Sequence, residues 1–147
     1  MLPQPKSIIA ITPISKTNGA TAGGEIIDTL GYDFAHINIF ASTADVVSNT
    51  LSSLKLQEAD VTNSSSFANI SGAVSGTDFT LATNAYTSTT NQNMWAFNVD
   101  LRARKRYLRV QASPQTTMVM AGAAVLMRGE EAPINATKAA ALNLVSL

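Results

Sequence analysis

The sequence predicts an all-β protein: a single antiparallel β-sandwich, jelly-roll-like, with extended N- and C-terminal arms. Three observations lead there. Several segments of five to ten residues alternate apolar and polar side chains with a period of two, the pattern of half-buried strands. Runs of Ser, Thr, Asn, Asp and Gly separate them, as turns do. Apolar residues at helical spacing are scarce. A chain of 147 residues, 46% of them hydrophobic, suits one domain with one core, burying roughly 68% of its unfolded surface.

Taken in order, Lys6 to Thr12 is the first strand candidate, bounded by Pro5 and Pro13. Proline cannot donate to a ladder, so this segment is either an edge strand or an arm. Asn18, Gly19, Gly23 and Gly24 make 15–24 a loop, and Glu25 to Thr29 a short strand ended by Gly31. In Phe34 to Ala41, Ala35, Ile37, Ile39 and Ala41 form one row and Phe34, His36, Asn38 and Phe40 the other. Ser42 to Leu54 opens on Ser, Thr and Asp45, a plausible cap, and places Val46, Val47 and Leu51 at helical spacing, so one or two helical turns are expected. Leu54 to Glu58 is the next strand and Ala59 to Ser66 a polar turn. Residues 72–93, rich in Ser, Thr, Asn and Gly, read as a long surface excursion of the kind that contacts partners.

The centre of the chain is Met94 to Val110. Trp95, Phe97, Val99 and Leu101 alternate with Ala96, Asn98 and Asp100; the basic run Arg102, Arg104, Lys105 and Arg106 follows; then Leu108 and Val110 share a face opposite Arg109. The unit reads as a β-hairpin with a cationic turn. Thr116 to Met127 is apolar on both rows, Val119, Ala121, Ala123 and Val125 on one, Met118, Met120, Gly122, Ala124 and Leu126 on the other, which predicts a strand covered on both sides, the second row by a tail or by another subunit. Gly129 to Pro133 are stop signals. The Ala-rich remainder has too little bulk for a core, so residues 129–147 read as an arm docked on a neighbour, with a short C-terminal helix as the alternative. The expected division is 1–13, an N-terminal strand or arm; 14–128, the sandwich; and 129–147, the C-terminal arm.

Candidate chemistry is sparse. Charge is 14% of residues, balanced ten against ten, so net charge indicates no partner. The absence of cysteine removes disulfides, thiolate catalysis and thiolate metal sites. His36 is the only histidine and lacks the oriented partner that a general base requires. The Gly-rich loop 15–24 lacks the Lys-Ser/Thr of a phosphate-binding loop. Glu58 and Asp60 have neither the Gly turn nor the distal Glu of a calcium loop and read as a solvated turn. No catalytic residue, metal or cofactor is expected. The apolar run Ile8 to Ile11 is too short, and its flank not basic enough, for a signal peptide; the longest apolar run, Met118 to Met127, is about half the ~20 residues of a membrane span. Five basic residues in one stretch of a neutral chain are a small footprint for nucleic acid, and Trp95, on the apolar row, belongs to the core rather than to a stacking platform.

The order of Leu54 to Asp60 (LKLQEAD), Phe67 to Ile70 (FANI), Phe97 to Leu101 (FNVDL) and Arg104 to Val110 (RKRYLRV) is similar to small virion proteins of tailed bacteriophages, the capsid decoration or cement proteins. In that pattern the acidic turn usually carries a Gly and an Asp follows the aromatic; here the turn is Ser-rich and Asn69 stands in place of the Asp. The resemblance implies a non-enzymatic homo-oligomer, trimer or dimer, on the outer surface of the capsid. It would be made in the host cytoplasm, bind the major capsid protein and lock neighbouring capsomers. Under that reading, partner binding falls to Arg102, Arg104, Lys105 and Arg106, whose guanidinium forks suit carboxylates, and to the arm residues Pro133, Ile134, Leu142 and Leu144. The residues leave open another virion role, in head–tail joining or the tail, and a carbohydrate- or nucleic-acid-binding sandwich.

Overall fold

The computed structural model describes residues 5–43, 51–81, 94–128 and 143–147. The chain forms strands β1 (Lys6–Lys16), β2 (Ala22–Gly23), β3 (Ile27–Asp28), β4 (Phe34–Thr43), β5 (Leu51–Ala59), β6 (Ala68–Val74), β7 (Met94–Asp100), β8 (Tyr107–Pro114), β9 (Met118–Met127) and β10 (Asn143–Ser146). Short 3-10 turns occupy Ser64–Ser66 and Leu101–Ala103. One sheet, sheet A, has the order β1-β9-β4-β7-β10; the other, sheet B, has the order β2-β8-β5-β6, with β3 also paired to β8. All pairs are antiparallel except β10 with β7. The expected β-sandwich is the observed architecture.

Period-two alternation builds the core. Trp95, Phe97 and Val99 on β7, Ile37 and Ile39 on β4, and Met118, Met120, Ala124 and Leu126 on β9 point inward from sheet A. Leu54, Leu56, Leu108, Val110 and Ile70 meet them from sheet B, and all are buried. Phe79 stands edge-on to Phe97, with ring centroids 6.2 Å apart, a favoured aromatic geometry. Branched and aromatic side chains fill this layer because they pack well on a pleated surface.

Several expectations are corrected. Met94 to Val110 is not a hairpin: β7 lies in sheet A and β8 in sheet B, and residues 101–106 carry the chain from one layer to the other. The corner is built locally. The Asp100 carboxylate accepts from Arg102 N at 3.1 Å, Leu101 N donates to Asp33 O at 2.8 Å, and Leu101 turns its side chain into the core. Of the two readings of the N-terminal segment, the edge strand is the one observed. It is β1, with register shifts around Pro13, where a missing donor is harmless. Of the tail, Asn143–Ser146 form β10, paired with this chain's own β7, and residues 129–142 lie outside the described residues. Ser42 and Thr43 finish β4 and Leu51 to Leu54 begin β5, so neither end of the expected helix is helical; residues 44–50 lie outside the described residues. The second row of β9 is only partly covered within this chain, as shown below.

The two sheets are joined at both edges through glycine. At the first edge, Gly24 N donates to Val110 O of sheet B at 2.8 Å and Glu25 N to Ala10 O of sheet A at 2.9 Å. A Cβ on Gly24 would stand 2.5 Å from both of those carbonyl oxygens. At the second edge, Leu147 N donates to Asn98 O at 2.9 Å and Leu147 O accepts from Asp100 N at 2.9 Å, extending the β10 pairing. The Leu147 side chain closes over Gly72 of β6, whose φ is +89°. The clash at Gly24 is with main chain, which no rotamer change relieves. Gly24→Ala is therefore expected to cost about 3 kcal/mol and to lower the melting temperature by about 10 °C, while Gly23→Ala, with open space at its Cβ position, leaves it nearly unchanged; calorimetry of the two variants checks this.

Candidate functional site

Two surfaces stand out, a charged end and an open sheet face. The charged end gathers the strand termini at Asp28, Phe34, Ala59, Asp100, Tyr107 and Met127. Here each residue of the basic run faces a carboxylate of its own chain. Arg106 forks onto Asp28, Nε to Oδ1 at 2.9 Å and Nη2 to Oδ2 at 2.7 Å. Arg102 does the same to Asp100, at 2.9 and 2.6 Å. Lys105 Nζ lies 2.9 Å from Asp60 Oδ2, and its main-chain N–H donates to Glu58 Oε2 at 3.1 Å. Arg104 Nη1 is 3.9 Å from Glu58 Oε1, the longest of the four contacts. Bidentate forks are the stronger geometry, fixing direction as well as charge.

Stacking reinforces the pairs. Arg102 lies over Phe34 (5.2 Å to the centroid), Arg106 over Tyr107 (4.9 Å) and Arg109 over Phe67 (4.3 Å). Arg109 also donates to Gln57 Oε1 at 2.8 Å and to Ser64 Oγ at 3.0 Å, tying β8 to β5 and to the 3-10 turn. Thr29 clamps the same corner, its N and Oγ1 both donating to Arg106 O, at 3.0 and 2.7 Å. Glu58 and Asp60, read from the sequence as a solvated turn, are counter-ions to Arg104 and Lys105, and Asp60 is still 70% exposed. The signal that could have found them is positional: Asp28, Glu58 with Asp60, and Asp100 each sit where a strand reaches this same end.

The open face is the outer side of sheet A. The outward row of β9 is Val119, Ala121, Ala123, Val125 and Met127, and Val119 is 53% exposed. On one side Ile9 of β1, paired with Ala123, is 56% exposed; on the other Phe40 of β4, paired with Ala121, is 43% exposed. The face closes toward β7, where Ala96 and Asn98 on the outward row are only 1% and 3% exposed. His36 sits at that boundary with Nδ1 2.6 Å from Asn98 Oδ1. A carboxamide oxygen only accepts, so the imidazole donates, and the contact orients a side chain on the sheet surface. Within this chain β9 buries one row and leaves the other, expected to lie under a tail or another subunit, partly exposed. Sequence reading missed Ile9 and Phe40, because the rows they belong to also carry polar residues.

Of the expected partner-binding residues, the structure brings Arg102, Arg104, Lys105 and Arg106 together at the charged end. Leu144 lies far along the chain on β10, paired with Ala96. Pro133, Ile134 and Leu142 lie outside the described residues, as do residues 82–93 of the expected surface excursion. Trp95 is fully buried. Among the described residues, no group of three His, Asp or Glu side chains is placed to hold a metal, and no helix is long and apolar enough to cross a membrane.

The forks shift their carboxylates. Arg106, chiefly through its side-chain hydrogen bonds, lowers Asp28 from 3.8 to about 2. Arg102 does the same to Asp100, from 3.8 to about 2. Both pKa values are depressed in the folded state, so the pairs contribute their stability above the unfolded value near 4 and lose it as pH falls toward 2. Both pairs are partly exposed, so solvent screens most of the effect. Asp28→Asn is expected to lose less than about 1 kcal/mol at neutral pH, with the difference from the parent chain shrinking to nothing as pH falls through that window; chemical denaturation at a series of pH values checks it.

Compared with known proteins, the chain matches no family model, no curated protein and no solved structure.

Proposed function

We propose that this chain is a non-enzymatic structural protein of a virion, a capsid decoration protein that sits as a homo-oligomer on the outer surface of the major capsid protein shell. The observation that carries the reading is the convergence of the four stretches on which the resemblance rests. Residues 54–60, 67–70, 97–101 and 104–110 are scattered over more than a third of the chain, yet they meet at the charged end. Arg104 and Lys105 pair with Glu58 and Asp60, and Arg109 stacks on Phe67. The stretches that carry the resemblance thus adjoin one another in the fold.

Two further features support it. A protein that staples a shell needs a frame that keeps its shape, and here one edge is pinned by main-chain hydrogen bonds to both sheets and the other is closed by the Leu147 side chain over Gly72. It also needs an outward surface able to bury apolar area, and the β1-β9-β4 face has one. The own-chain pairing of the basic run counts against a polyanion ligand, since phosphate binding draws on cations available to release counterions.

Co-sedimentation with emptied shells of the cognate phage tests the proposal. The chain is expected to pellet at a fixed ratio to the major capsid protein and to raise the shell's disruption temperature. If it stays in the supernatant over the shell, the proposal fails. A salt-sensitive gel shift with oligonucleotides would instead transfer the assignment to a nucleic-acid-binding sandwich.

A further inference from the structure

We infer that Asn18–Gly19 is a self-modification site, at which the chain loses ammonia without an enzyme, and that the hydrogen bond from Gly19 N to Pro114 O governs its rate. The inference is separate from the decoration reading and stands or falls without it.

The chemistry follows from the pair of residues. Once the Gly19 main-chain nitrogen has given its proton to hydroxide, it attacks Cγ of the Asn18 side chain. The N–Cγ bond forms, the Cγ–Nδ2 bond breaks, and Nδ2 leaves as ammonia. The resulting five-membered imide then takes up one water. Opening at Cγ gives aspartate; opening at the Asn18 main-chain carbonyl gives isoaspartate, in which the main chain is rerouted through the side chain. Nothing is oxidised or reduced, and the sum is water in and ammonia out. Ring closure crowds the attacking nitrogen, so a following residue without a side chain is the one that permits it. Of the chain's asparagines, only Asn18 precedes a glycine.

The setting both exposes this pair and restrains it. Asn18 and Gly19 are exposed and form the centre of a β-turn closed by Ala20 N donating to Thr17 O at 3.0 Å, with Gly19 at φ +73°. Water and hydroxide therefore reach both reacting groups. The Gly19 N–H that must be surrendered, however, donates to Pro114 O at the end of β8, at 2.9 Å. While that bond holds, the nitrogen keeps its proton and its position. Thr21 Oγ1 lies 3.1 Å from Ser113 Oγ, a second tie between the same loop and β8. The reaction thus draws on the fraction of molecules in which the loop has lifted from β8. Other asparagines of the fold are worse placed: Asn63 precedes Ser64, Asn69 and Asn98 precede the branched Ile70 and Val99, and all three use their side-chain oxygens in hydrogen bonds.

The product matters to the sandwich. Isoaspartate adds a carbon to the main chain inside the turn, which moves Gly19 N off Pro114 O. The same loop then runs to Gly24, the tight point of the seam between the sheets.

The test is incubation of the full chain at mildly alkaline pH, with and without urea. Mass spectrometry of digests follows each asparagine and separates isoaspartate from aspartate by fragmentation. In the unfolded chain Asn18 is expected to react before any other asparagine, and in the folded chain to react there about tenfold or more slowly. The isoaspartate product should melt a few degrees below the parent. Asn18→Gln, which would have to close a six-membered ring, should stay unmodified at that position. Asn18→Asp carries the new charge on an unaltered main chain and should melt like the parent, which separates the lost tie from the charge. No reaction at Asn18 in the folded chain, or earlier reaction at another asparagine, overturns the site. Equal rates in the folded and unfolded chain overturn the control by Pro114, as does an isoaspartate product that melts with the parent.

Discussion

Two hydrogen-bonded sheets pressed together by apolar side chains have no built-in register with each other, because the hydrophobic effect is not directional. In this molecule the register is supplied by main chain at the edges. Residues 24 and 25 donate one N–H to each sheet, to Val110 O and Ala10 O, from a position so tight that only a glycine fits. At the far edge Leu147 continues the β10 ladder along β7 and lays its side chain on Gly72 of the other sheet. The core between these seams can be filled by ordinary branched and aromatic residues, since the seams have already set how the layers face one another.

The charged end is a consequence of that register. With the layers fixed, the terminus of β3, the turn after β5 and the corner between β7 and β8 arrive together, and their side chains neutralise one another in place. A basic run that looks outward-directed in the sequence is spent on closing the end of the sandwich. Surface pairs of this kind contribute little stability each. Their forks and stacked rings do fix direction, holding the corner that takes the chain from one sheet to the other.

The sequence made the strands legible wherever a period of two was written in large side chains. The cores of β4, β5, β7 and β9 were readable in that way, and so was the burial of Trp95. What it did not disclose was pairing. Residues 102–106 look the same whether they close a hairpin or cross between layers; the difference lies in Asp33, Asp28 and Glu58, which are distant in sequence. The four-residue β10 is too short to show a period, and its parallel partner is remote. On β9 the two rows looked alike. Ala is apolar enough to read as buried but small enough to sit on an open surface, so the outward row could not be told from an inward one. Of the candidate site, the basic run was visible, its counter-ions were taken for a solvated turn, and the relief of the outer face needed the β1-β9-β4 register to appear at all.

The strand order of sheet A also bears on how the chain reaches this state. Strand β9, which lies between β1 and β4, is synthesised after both, with four other strands made between β4 and β9. Until it emerges from the ribosome, β1 has no neighbour in its sheet and β4 lacks one of its two. Nearly every pairing in the sheet is non-local, a topology that folds slowly because loops must close before contacts repay them. During that interval Ile9, Ile11, Ile37 and Ile39 are open to other nascent chains. A chain of this topology therefore faces its greatest hazard in the moments before its sheet closes.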